Sequence, residues 1–161
     1  MMNLHEALQR MPDRLEAMLR EFPVAQIGWT PPDWAAAPAE EFSALATVCH
    51  LRDIERDGYH VRLRRVIHEE LPDLASVDGF WLERERRYAE DSLERALADF
   101  RAARSETLEL VGGWSAQDLA RKATFAEYGM LTAAGLLHLL SSHDLQHLAG
   151  LRWLLARASA L

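Results

Sequence analysis

A single cysteine, Cys49, stands among 161 residues, so the chain forms no internal disulfide and offers no cysteine-based zinc site. Glycine and proline are sparse, at eight and six residues. Leucine and alanine are abundant, which favours helix over strand. Only one lysine is present, Lys122, and 18 basic residues against 25 acidic ones leave a formal net charge of −7. A nucleic-acid binder gathers positive charge to displace counterions from phosphate, so no nucleic-acid partner is expected. The short basic run Arg62-Leu63-Arg64-Arg65 reads as a solvated helix face. No window reaches the apolar length of a membrane span. The opening MMNLHEALQRMPDRLEAML carries charges throughout and lacks the apolar core of a signal peptide. These absences give the expectation of a cytoplasmic protein with no membrane partner.

What remains, 49% hydrophobic and 27% charged, is the composition of one globular domain over residues 1–161. Residues 3–20 carry Leu4, Leu8, Met11, Leu15, Met18 and Leu19 at helical spacing, with Pro12 as an expected break or kink. A proline-rich loop with Trp29 and Trp34 follows. A second helix is expected from about Glu40 to His68, with the stripe Phe42, Leu45, Ala46, Cys49, Ile54 and Val61. A third is expected from about Phe80 to Val111, stopped by Gly112-Gly113. Ser115 and Asp118 form an imperfect capping box for a short turn, and Thr132 caps a last helix from about Ala133 to Ala158. No strand-like alternation separates these segments, so the expected fold is all-α, a four-helix bundle. The long loops holding Trp29, Trp34 and Trp114 suggest either a roof over a pocket or plugs at the ends of the bundle.

The last helix contains His143-Asp144-Leu145-Gln146-His147. At 100° per residue, His143 and His147 share one face, together with Leu136, Leu140, Gly150, Leu151 and Leu154. His138 lies about 140° round from His143 and falls outside that cluster. Two imidazoles give a metal only two ligands. His50 on the second helix is an apolar-face histidine that supplies a third if the two helices are neighbours. Asp53 and Asp57 share its face, whereas His60 is about 80° off it. Asp53 or Asp57 is a candidate to orient His50 from behind or to hold a substrate amine. Cys49, about 100° from His50, reads as a packed core residue. HDLQH differs from the zincin HExxH by a shorter acid, and the DxxH pairs ending at His60 and His147 differ likewise from di-iron ExxH pairs.

Across its whole length the chain resembles the DinB/YfiT-like superfamily. The matching features are the tryptophan and proline loop, the helix-two stretch CHLRDIERD, the segment LPDLASVDGFWLERERRYAEDSLERALADFRAARSETLELV, and the closing third GWSAQDLARKATFAEYGMLTAAGLLHLLSSHDLQHLAGLRWLL. The resemblance implies a divalent metal held by His50, His143 and His147, and a bundle that is not simply up-down-up-down. It also implies a homodimer. Zinc, nickel and iron all accept imidazole. Characterised relatives of this kind include thiol S-transferases and thiol-dependent isomerases. By that likeness the expected function is transfer of a low-molecular-weight thiol (bacillithiol, mycothiol or glutathione) to an electrophilic small molecule. The alternative is a stress-response protein that binds a metal or small molecule without turnover.

Overall fold

Asn3 opens the first helix in the computed structural model, which describes residues 3–159. Its side-chain oxygen accepts the Glu6 amide at 2.8 Å, and helix α1 (Leu4–Leu19) buries Leu8, Met11, Leu15 and Leu19. Pro12 does not break it. Proline has no N–H to give the carbonyl one turn back. That carbonyl, on Leu8, instead accepts from the Arg104 guanidinium of a neighbouring helix at 2.9 Å.

The second helical stretch starts later than the sequence suggests, because Ser43 caps it by accepting the Ala46 amide. It runs without interruption through α2 (Ala44–Asp53), a π-helical segment (Ile54–Tyr59) and α3 (His60–His68). All ten residues of α2 are buried. The wider i→i+5 turns of the π segment fall behind α-helical phase, so everything after it faces a different way from a regular helix. Val61, expected in the apolar stripe, is accordingly 47% exposed. Arg62, expected on a solvated face, is buried.

The expected third helix is two. Helix α4 (Gly79–Arg86) ends at Arg87 in the left-handed region (φ 48°); a 3-10 turn (Tyr88–Glu90) follows, and Ser92 caps α5 (Leu93–Val111). No glycine or proline marks the break. Tertiary contacts hold it: Tyr88 is fully buried and its hydroxyl donates to Asp53 at 2.8 Å.

After α6 (Ala116–Leu119), whose Ser115–Asp118 capping box makes both reciprocal bonds, the chain forms a hairpin. Strand β1 (Asp73–Leu74) pairs parallel with β2 (Lys122–Phe125), and β2 pairs antiparallel with β3 (Gly129–Thr132), Lys122 opposite Thr132. This small sheet corrects the all-α expectation: Ala123 and Phe125 point inward from β2, but four residues of alternation are too few to stand out in a sequence. Helix α7 (Ala133–Ala158) starts at Thr132, whose hydroxyl accepts the Gly135 amide. Helix α1 packs on α5 and α7, and α2 on α5 and α7, so the mostly helical fold is a bundle in which α2 and α7 are neighbours. Among the described residues no helix is long and apolar enough to cross a membrane.

Candidate metal centre

Three imidazoles meet where α2 and α7 pack. Nε2 of His143 lies 3.2 Å from Nε2 of His50 and 3.1 Å from Nε2 of His147. A fourth group joins them from the loop ahead of α2. Glu40 Oε2 is 3.4 Å from His147 Nε2, and the four ligand atoms all lie within 4.8 Å of one another. That loop is tied to α7 by Trp34 stacked on Trp153 (centroids 5.6 Å apart) and by Asp33 accepting from Arg157 at 2.9 Å. Glu40 precedes the helix and has no periodicity to place it, so nothing in the sequence marked it.

The donor set suits a cation. An imidazole nitrogen has either one hydrogen or one lone pair, so His143 Nε2 cannot bond well to both neighbours at once. Tetrahedral ligands about 2.0–2.1 Å from a zinc are about 3.3 Å apart, close to the observed nitrogen spacings. Glu40 Oε2 is buried with no hydrogen-bond partner, an acceptor left over beside the three nitrogens. Burial pushes His50 down to about 2, reinforced by His147 and His143. It holds His143 near 3 and His147 near 4. All three imidazoles are therefore neutral at physiological pH, the form that ligates a metal.

The two acids expected behind His50 lie elsewhere. Asp53 is buried, accepting from Arg52 at 2.7 Å, Tyr88 at 2.8 Å and Arg86 at 3.0 Å. Asp57 is exposed and pairs with Arg86. Neither bonds His50, whose Nδ1 has no partner. It faces backbone instead: a Cβ on Gly79 would stand 2.6 Å from His50 Cε1 and 2.8 Å from Nδ1. Gly79 thus lets α4 close on the imidazole. Gly79→Ala is expected to hold the fold, alanine being the better helix former. It should weaken metal binding about 10- to 100-fold, the scale of a lost outer contact to a ligand. Chelator competition measures this, and unchanged affinity would mean that Gly79 plays no part.

Asp144, between the paired histidines, turns the other way to Arg104, so HDLQH does not place an acid beside its histidines as a zincin does. His60 bonds Ala103 O and Thr107 Oγ1 at 3.0 Å on α5, with Glu106 3.6 Å from its Nδ1, and is not one of the four groups gathered at the candidate centre. Cys49 is buried, donates to Asp91 at 3.6 Å, and is pushed up to about 12 by burial, which keeps it a thiol.

Two of the three histidines face a cavity. His50, His143 and Glu40 line a cavity of about 340 Å³ with Tyr59, Arg62 and Phe125. Trp29, Trp34 and Trp114 do not line it. A larger apolar groove of about 680 Å³ lies between the end of α1 and the start of α5, but it holds none of the histidines.

The family model of the DinB superfamily matches residues 7–151. The chain belongs to the DinB superfamily. No curated protein is significantly similar to this DinB chain. Among solved structures, YfiT from Bacillus subtilis matches with a TM-score of 0.82 at 16% identity, over 97% of this chain and 86% of that one. At that identity the likeness is one of fold. YfiT is described as "a probable metal-dependent hydrolase with an unusual four-helix bundle topology". In this DinB protein the small sheet borders the cavity, through Phe125 of β2 and Tyr128 in the turn after it.

Proposed function

We propose that His50, His143 and His147 hold one divalent transition metal (zinc, nickel or iron), and that the protein transfers a low-molecular-weight thiol to an electrophilic small molecule. The observation that carries this reading is the cluster of three neutral imidazoles, two of which, His50 and His143, lie on the wall of a cavity where a metal keeps positions open for a substrate. A bound divalent cation supplies Lewis acidity, which lets a thiol ionise near neutral pH.

The chain supplies the rest. Glu40 Oε2, with no other partner, accepts the proton as the S–H bond breaks. The sulfur electron pair forms the new S–C bond, and the leaving group departs with its own pair. Tyr59 and Phe125 wall the cavity with apolar surface, which strengthens the electrostatics inside it. Glu40 is equally placed to take a proton from water. That supports hydrolysis as the second reading, in line with the description of YfiT.

The test is elemental analysis of untagged protein beside His50→Ala, followed by cobalt(II) loading and titration with a small thiol. About one equivalent of metal, lost in the variant, together with a thiolate-to-cobalt absorption band, is the expected result. Metal without that band would favour the hydrolase. Absence of metal after reconstitution would overturn the enzyme reading and leave a binding protein.

A further inference from the structure

Three arginines are buried among the described residues, and they differ in one respect. Arg52 is paired with Asp53 and Asp91, and Arg104 with Glu55 and Asp144. Arg62 is 5% exposed and pairs with no carboxylate among the described residues. Its Nε and Nη2 donate to one backbone carbonyl, Ala75 O, at 3.1 and 3.0 Å. Its Nη1 donates to nothing described.

The guanidinium is nonetheless firmly seated. It lies over the Phe125 ring at 4.4 Å and the Tyr59 ring at 5.1 Å. Gly58 makes room for it, since a Cβ there would stand 2.9 Å from Nη1. Burying an uncompensated cation is expensive, and here burial lowers the arginine's own pKa. A group kept in that condition on a cavity wall points to a ligand that completes it.

The backbone also goes out of its way to put it there. Twelve α-helical residues would set Arg62 about 120° round from His50. The π segment between them rephases the helix, and both side chains line the same cavity of about 340 Å³. Such segments gather at functional sites. The cavity is at the small end of those that take ligands.

We propose that Arg62 is the anion-binding residue of this cavity, and that the substrate is a small carboxylate-bearing molecule whose carboxylate docks on Arg62 while its reactive end faces the histidines. Ser76, Ser142 and Gln146 add polar groups to the same wall. A planar guanidinium matches a carboxylate through parallel N–H···O bonds, which a lysine would not reproduce. This deepens the thiol-transfer reading, which it rests on for the chemistry at the other end, by naming the class of substrate.

The test compares 3-mercaptopropionate with its methyl ester, which keeps the thiol and removes the negative charge, on the full-length protein. Calorimetry on metal-free protein and the thiolate band of cobalt-loaded protein give two separate readouts. Wild type should prefer the acid about ten- to hundredfold, as expected for a charge-assisted pair. Arg62→Gln should bring the two probes level while cobalt uptake stays unchanged. Equal binding of acid and ester by wild type, which needs no variant to fold, would overturn the proposal, as would a preference that survives Arg62→Gln. Failure of cobalt uptake would sink the metal reading alone, since the metal-free preference still decides the role of Arg62.

Discussion

Replacing Arg104 with methionine should destabilise the protein by about 3–5 kcal/mol, the scale of removing one partner from a buried ion pair. For a domain of this size that is roughly 6–20 °C in Tm. Arg104 is 1% exposed and uses all five N–H donors of its fork. Nε and Nη2 donate to the two Glu55 oxygens at 2.7 and 2.9 Å, and Nη1 and Nη2 to the two Asp144 oxygens at 2.9 Å each. The last donor takes the Leu8 carbonyl that Pro12 leaves free. Without the guanidinium, two carboxylates and that carbonyl are buried together with no donor between them, apart from Thr107, whose hydroxyl bonds Glu55.

The loss should depend on pH with a definite sign. Burial raises Asp144 to about 6 even against the pull of Arg104. A carboxyl whose pKa is higher folded than unfolded contributes stability below its unfolded value, lost as pH rises through the folded one. Removing Arg104 raises it further, so the variant should be weakest above pH 7 and recover toward pH 5. Urea midpoints at the two pH values measure this. A variant as stable as wild type at pH 7.5 would show that the network is not what holds α1, α5 and α7 together.

The largest functional effect is expected at His143. Its Nε2 is the one that stands beside both others, so His143→Ala leaves His50 and His147 without their common neighbour. Loss of an outer contact to a ligand already costs 10- to 100-fold. Loss of the ligand itself should therefore cost at least about a hundredfold, and metal content should fall from about one equivalent to none. The bundle should stay folded, because among the described residues no hydrogen bond from His143 to another element supports it apart from the one to His50. Asp144→Asn, one residue along, should do the reverse: metal retained, stability lower by about 1–3 kcal/mol. Circular dichroism, denaturation and elemental analysis on the two variants separate the roles. Full metal occupancy in His143→Ala would remove it from the ligand set.

Helical periodicity made the helices legible and put His50, His143 and His147 on inward faces, but that the two helices are neighbours it left open. Leu8, Met11, Leu15, Leu140 and Leu151 are buried where the spacing puts them. What escaped depends on contacts made at a distance in the chain. Arg87 turns left-handed because Tyr88 is drawn to Asp53, and no breaker residue records that. Glu40 reaches His147 because Trp34 finds Trp153. Asp57 was misplaced because the angular count from His50 assumed 3.6 residues per turn across a stretch that does not obey it, and Arg62 because a basic run was read as solvent-facing.

That stretch means that chain length, and not only side-chain identity, encodes the cavity. Were Ile54–Tyr59 to close as regular α-helix with no residue lost, every side chain would be retained but Arg62 would stand about 120° round from His50. With one residue fewer, a regular helix would instead carry the arginine eleven positions on from His50, about 20° away and on the same face. Two sequences with the same histidines and the same arginine can therefore differ in whether a substrate meets both. Recognising this site in a related chain calls for counting the residues between those two positions as much as for naming them.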